Sequence, residues 1–113
     1  MKMKLFAFVA ALVFFGASAQ ATERVIWNVT LTQVYPLSNG DFVLAFSADA
    51  PNCTNTSVPK YLFVAVGQNG ITAAGSVKMY AAALTAFSTG KTVDAAFDDA
   101  TPSCYINRLT IHN

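Results

Sequence analysis

Charged residues are scarce in this chain. Of its 113 residues, seven are Lys or Arg and six are Asp or Glu, together 12% of the sequence. Binding to nucleic acid depends on clustered basic side chains, and no such cluster occurs here. The sequence also lacks a G-x-S-x-G element and a glycine-rich phosphate loop. These absences argue against an enzyme, so we expect no catalytic residue and no cofactor.

Metal-binding patterns are missing as well. His112 is the single histidine and lies one residue from the C-terminus, so no histidine pair can hold zinc, and we expect its side chain to be solvated. Asp94, Asp98 and Asp99 do not follow the spacing of a calcium loop. We therefore interpret these carboxylates as solvated turn residues and predict no metal site.

Long apolar runs are confined to the N-terminal region. Within residues 1–21, two lysines precede an apolar run at 5–15 and small residues at 16–21. This order is typical of a secretory signal peptide, with cleavage after Ala19 or Ala21, and the run is too short to span a membrane. We expect a bacterial protein that is periplasmic or secreted.

The remaining residues, 22–113, are enough for one domain with a modest core. Since Lys2 and Lys4 belong to the predicted signal peptide, residues 22–113 carry five basic and six acidic residues, a net charge of 5 − 6 = −1. Its two cysteines, Cys53 and Cys104, are predicted to form a disulfide, because an even pair in an oxidising compartment most simply bridges. Closing such a loop stabilises the fold by on the order of 4 kcal/mol in the chain-entropy estimate.

One segment of the mature part, residues 72–93, reads as a helix. Thr72 is a suitable N-cap, and Gly90 stands where a left-handed residue ends a helix. Lys91 follows close to the negative end of the helix dipole. The sequence therefore predicts one helix with well-marked ends.

This helix is apolar on two sides, and Lys78 is its only charged residue. Helical spacing predicts that one side faces the core. That side comprises Ala73, Val77, Tyr80, Ala81, Leu84 and Phe87. The other side is predicted to be an interface between copies of the chain, and it comprises Met79, Ala82, Ala83 and Ala86. The alternative is that these alanines are good helix formers tolerated in water.

The rest of the mature part alternates between apolar strand-like runs and turns. Pro36–Gly40 contains the Asn-Gly pair typical of a hairpin turn. An apolar face on the first strand is predicted to include Trp27, whereas Tyr35 beside the turn is expected to be exposed. Five strands are predicted: Arg24–Tyr35, Asp41–Ala48, Tyr61–Val66, Lys91–Phe97 and Tyr105–Ile111.

Three strands, one helix and two strands is the order of an OB-fold, a five-stranded Greek-key barrel. With the single disulfide and the helix-end segment Leu84–Lys91 (LTAFSTGK), this order resembles the receptor-binding B subunits of bacterial AB5 toxins, of the subtilase-cytotoxin and pertussis-like kind. The resemblance implies a pentameric ring with the helices around a central pore and glycans bound at the outer surface. No glycan-binding residue can be transferred from it, because no local motif matches.

Two functional hypotheses follow. The first is an exported, non-enzymatic, homo-oligomeric binding module that recognises a glycan or another surface ligand. The second is a periplasmic structural or protein-interaction domain with no small ligand. Binding to a glycan array would distinguish the two hypotheses directly.

Overall fold

The computed structural model describes residues 22–113 as a mainly β domain with one helix. The predicted signal peptide lies outside the described residues. Two antiparallel three-stranded sheets are present, in the orders β1-β5-β6 and β2-β3-β4. The elements are β1 (Glu23–Val29), β2 (Leu31–Pro36), β3 (Phe42–Phe46), β4 (Leu62–Val64), α1 (Ala73–Thr89), β5 (Val93–Asp98) and β6 (Ile106–Ile111).

The predicted hairpin is confirmed as β2 and β3. Pro36 pairs with Phe42 at the closed end of the hairpin, and the Leu37 amide donates to the Asp41 carbonyl at 2.7 Å. Gly40 has a φ of 93°, a conformation that a residue with a Cβ rarely adopts. The turn therefore depends on the glycine that marked it in the sequence.

The predicted first strand is divided into two, so residues 22–113 contain six strands in place of the predicted five. Asn28 has a φ of 52°, and the pairing of β1 with β5 shifts register between Ile26 and Val29. Such an irregularity reverses the side-chain alternation along the strand. Ile26 and Val29 are consequently buried while Trp27 is 64% exposed, so the prediction that Trp27 lies on the core face is wrong.

The ends of α1 agree with the prediction. The Thr72 hydroxyl accepts a hydrogen bond from the Gly75 amide at 2.9 Å, which satisfies one of the free amides of the first turn. Gly90 is left-handed, with a φ of 66°, and the chain then enters β5. Both helix ends are set by local chemistry that a sequence displays directly.

The faces of α1 are largely reversed relative to the prediction, although Tyr80, predicted to face the core, does pack against it. Ala83 and Ala86 have no exposed surface, and Met79 packs against the core from its edge. The prediction that this side is free for another copy is therefore wrong for these residues, which contact the chain's own sheets. The helix lies on β2 and β6, and small side chains permit the backbones to approach closely where larger ones would hold them apart.

The core lies between the two sheets and the buried side of α1. Its largest fully buried side chains include Phe42, Leu44, Leu62 and Phe97. The Cys53–Cys104 disulfide is confirmed, with its Cα atoms 5.8 Å apart and both cysteines inside this core. The bridge ties the long β3–β4 connection to the segment before β6, and it is compatible with an extracellular or periplasmic protein.

The connection between β3 and β4 is further fastened by polar side chains. The Asn55 amide nitrogen lies within hydrogen-bonding distance of the carbonyls of Tyr61 and Pro102, at 2.8 Å and 3.1 Å. The Lys60 ammonium donates to the Cys53 carbonyl at 2.6 Å. The Asn55 bond to Pro102 holds this irregular connection against the segment before β6, where the Phe63 amide also donates to the Ser103 carbonyl at 3.1 Å.

Candidate functional site

An apolar surface remains uncovered on the outer side of α1. Val77 is 71% exposed, Phe87 48% and Leu84 42%, although these side chains were predicted to face the core. We define the α1 stripe as the exposed residues Ala73, Val77, Ala81, Leu84 and Phe87, which recur at intervals of three or four. This spacing places them along one side of a helix, and it is also the spacing at which a second helix is contacted.

The α1 stripe is free of charge along its whole length. Lys78, the only charged residue of the helix, is exposed on the flank of the stripe. Hydroxyls around the last turns bond to their own helix, as when the Thr85 side chain donates to the Ala81 carbonyl at 2.9 Å. No strong electrostatic feature therefore opposes contact between this surface and an apolar partner.

A second, partly uncovered surface lies at the β2-β3-β4 sheet. Tyr35 is 58% exposed, as predicted, and its ring stacks on that of Tyr61 with an interplanar angle of 8° and centroids 6.5 Å apart. In the same sheet Val43 pairs with both Tyr35 and Phe63, so those side chains lie side by side. Tyr35, Tyr61 and Phe63 therefore form an aromatic surface around the buried Val43, exposed at Tyr35 and half-buried at the other two rings.

The last β-strand ends at an ion pair. His112 Nε2 lies 2.6 Å from Asp94 Oδ2, and the Asn28 amide donates to Asp94 Oδ1 at 2.8 Å. The prediction that His112 and Asp94 are simply solvated is thus wrong. The Asn28 amide bond, helped by the hydrogen bond and charge of His112, lowers the pKa of Asp94, although partial burial opposes the shift. The pair joins the β1 bend to β5 and to the residue after β6.

Asp99 has a comparable structural role at the other end of the same sheet. Its carboxylate accepts from Arg24 Nε at 2.9 Å and from the Thr22 amide at 3.1 Å. The bond from Arg24, followed by that from Thr22, lowers the pKa of Asp99. Asp98 accepts from the Ala100 amide at 3.3 Å. Within residues 22–113, no group of three or more His, Cys, Asp or Glu side chains could hold a metal ion.

Sequence reasoning found the helix as the main candidate surface but assigned the wrong side to it. It also anticipated the exposure of Tyr35, and it missed the partner ring of Tyr61 because stacking depends on the pairing of three strands. Trp27, assigned to the core, adds an exposed aromatic ring on β1. The only signal for that exposure was Asn28, a residue type that tolerates positive φ.

Comparison with models of known protein families and with curated proteins found no match. Across the described part of the chain, no helix has the length and apolar character needed to cross a membrane. The two uncovered surfaces are therefore the candidate functional sites of this domain.

Proposed function

We propose that this protein is an exported, non-enzymatic binding module that assembles into a homo-oligomer through the α1 stripe. The main support for this proposal is the exposure of Val77, Leu84 and Phe87 on a helix whose other side is already buried. Contiguous apolar surface of this kind on a small domain marks an interaction site. The disulfide supports the exported location, because such bridges persist in oxidising compartments.

A second copy is the partner we favour for the α1 stripe. An uncharged surface can meet its own duplicate with no like-charge contact, whereas a charged one would repel itself. The intervals of three and four along the stripe suit contact with an equivalent helix. Association would remove the exposed parts of Val77, Leu84 and Phe87 from water.

The dimensions of α1 favour a ring over a simple pair. From Ala73 to Phe87 the helix rises about 21 Å, and with a face about 10 Å wide the contact covers on the order of 200 Å² per subunit. A standard interface buries about 800 Å² per partner. We therefore propose that the helices gather around a common axis while sheet edges supply the remaining contact, as in the rings of the AB5 toxin B subunits that the sequence resembles. An OB-fold barrel, with the first strand bent at Asn28, is the architecture we propose for each subunit.

Light scattering coupled to size exclusion tests this assembly. We expect a mass of several subunits for the signal-free protein and a shift to monomer for Leu84→Glu, since assembly would bury an unpaired carboxylate. Thr85→Glu is the matched control, because Thr85 is exposed on the same helix but outside the stripe. A monomeric wild type, or an equal effect of both substitutions, would refute the proposal.

The ligand we propose for the assembled module is a glycan, bound at the aromatic surface of Tyr35 and Tyr61. The two stacked rings, of which Tyr35 is 58% exposed and Tyr61 is half-buried, offer aromatic surface to a ligand, and OB-fold barrels bind oligosaccharides. A glycan array probed with wild type and with Tyr35→Ala tests this separately from assembly. Binding that disappears in the variant supports it. Absence of binding by the wild-type oligomer favours a periplasmic structural or protein-interaction domain with no small ligand.

A further inference from the structure

A cavity of about 240 Å³ lies between the β2–β3 turn and helix α1. It is distinct from both uncovered surfaces described above. Six residues line it: Pro36, Leu37, Gly40, Asp41, Phe42 and Tyr80. Its volume is slightly below the usual range for drug-sized ligands, so it suits a small chemical group.

Two aromatic rings form one side of this cavity. Phe42 and Tyr80 meet edge to face, with ring centroids 5.2 Å apart and an interplanar angle of 63°. Phe42 is buried in the core, and Tyr80 packs against that core from α1, so both rings are held in place by their surroundings. The face of an aromatic ring is electron-rich and attracts cations within about 6 Å of its centroid.

Asp41 supplies the only charged group among the residues that line the cavity. Asn39 orients it, since the Asn39 side-chain amide donates to Asp41 Oδ2 at 3.0 Å while its oxygen accepts from the Asp41 amide at 3.0 Å. The Val66 amide contacts Asp41 Oδ1 at a longer 3.3 Å. A carboxylate has about four acceptor positions, so capacity for a ligand remains.

No cationic side chain neutralises Asp41 in the part of the chain that the structure describes. The ion pairs found there join Arg24 to Asp99, Arg108 to Glu23 and His112 to Asp94. The cavity thus combines a fixed, unpaired carboxylate with aromatic and aliphatic walls. A neutral apolar ligand would leave the carboxylate without a counter-charge, and an anion would be repelled by it.

We propose that this cavity binds a small organic cation of the alkylammonium class. The charge would lie against the Asp41 carboxylate and the ring of Tyr80, and the alkyl groups would contact Pro36 and Leu37. This site does not depend on assembly through the α1 stripe or on the aromatic surface of Tyr35.

Choline and its neutral isostere 3,3-dimethyl-1-butanol are the probes, because the two differ chiefly in charge. In two-dimensional ¹⁵N–¹H NMR titrations of the purified protein, we expect choline to move the amide signals of Gly40, Asp41 and Tyr80. The isostere should bind at least tenfold more weakly. Equal binding of the two compounds would overturn the proposal. So would the absence of any shift at about 50 mM choline, which would saturate a site with a Kd of about 1 mM.

Three variants locate the binding. Asp41→Asn should weaken choline at least tenfold and leave the isostere unchanged, whereas Asp98→Asn, a carboxylate outside the cavity, should change neither. Tyr80→Leu keeps apolar volume but removes the aromatic face, so choline should lose more affinity than the isostere. Choline binding that survives Asp41→Asn, or an equal loss of both ligands in Tyr80→Leu, would overturn the site.

Leu84→Glu, the variant that should disrupt assembly, distinguishes choline binding in the cavity from assembly through the α1 stripe. Leu84→Glu removes part of the α1 stripe without altering the lining of the cavity. Choline should therefore bind this variant as it binds the wild type, whatever the oligomeric state. Loss of choline binding in Leu84→Glu would mean that the site is formed between subunits, and the cavity described within one chain would no longer account for it.

Discussion

The two sides of helix α1 are both apolar, yet one is buried and the other is not. Ala83 and Ala86 are fully buried against the sheets, whereas Val77, Leu84 and Phe87 remain exposed. Three large apolar side chains are thus in contact with water while two alanines are not. At the positions of Ala83 and Ala86 the helix lies close to the sheets, on β2 and β6, and leaves space only for small groups, whereas the larger Met79 and Tyr80 pack at the edge of the core.

This difference has a functional consequence. A domain that merely needed to cover its core could have polar residues at the positions of Val77, Leu84 and Phe87 with no loss of packing within the chain. Retaining apolar side chains there exposes surface that favours association. We therefore infer that the buried side of α1 serves the fold and that the α1 stripe serves assembly.

The largest expected effect is that of a charge on the buried side. Ala83→Glu should reduce the free energy of unfolding by about 3 kcal/mol or more, because it places an unpaired carboxylate inside the core. Urea unfolding followed by circular dichroism measures the change. Leu84→Glu, one position further along, should lower the stability of the monomer by far less. Comparable losses in the two variants would contradict the assignment of the faces.

A smaller effect should accompany a change of size without charge. Ala86→Leu overfills the contact between α1 and the sheets and should cost about 1–3 kcal/mol. Val77→Leu adds apolar volume to the exposed side and should stay within about 0.5 kcal/mol of wild type. The same urea titration compares them. If Ala86→Leu were neutral, the helix would not lie as close to β2 and β6 as described.

The features of this fold that the sequence predicts correctly are mostly those determined by a few neighbouring residues. Thr72, Gly90 and the Asn39-Gly40 turn act on the backbone within a few residues of themselves, and each was identified correctly. The disulfide could be predicted because the sequence has only two cysteines, which leaves a single possible pairing. The faces of α1 could not be assigned, because hydrophobicity is similar all round the helix and the outcome depends on how closely distant strands approach it.

The break in the first strand was missed for a related reason. Alternation from Val25 to Leu31 looks continuous in the sequence, but the bend at Asn28 removes Trp27 from the core face. The candidate surfaces were equally difficult to predict, since the α1 stripe was assigned to the core and the pairing of Tyr35 with Tyr61 required the sheet itself. Surfaces arise from tertiary contacts, which a single sequence displays only indirectly.

Removing the N-cap of α1 should affect both sides of the helix together. Thr72→Ala deletes the hydroxyl that accepts from the Gly75 amide and should lower the free energy of unfolding by about 1 kcal/mol. Thr72→Ser preserves the bond and is the control. Amide hydrogen exchange should show faster exchange confined to the first turn of α1 in the alanine variant. Unchanged stability in Thr72→Ala would mean that tertiary packing alone fixes the start of the helix.

The smallest expected effect is a pH dependence of stability. It should arise from the ionic contacts of the β1-β5-β6 sheet and not from the packing of Ala83 and Ala86. Folding lowers the pKa of Asp94, chiefly through the Asn28 amide and then through His112. A carboxyl with a lowered pKa stabilises the native state above its unfolded value of about 3.9, and this contribution is lost as pH falls through the folded pKa. Asp94→Asn should therefore flatten the loss of thermal stability below about pH 4.

Asp99, whose pKa is lowered mainly by Arg24, contributes to the same acid range. Asp94→Asn should for that reason remove only part of the slope, and Asp94→Asn combined with Asp99→Asn should remove more. Ala83 and Ala86 are uncharged and belong to the buried hydrophobic core, so Ala86→Leu should shift the whole curve of melting temperature against pH downwards without changing its slope. An altered acid slope in Ala86→Leu would show that the helix contact and the ionic contacts are coupled and do not act independently.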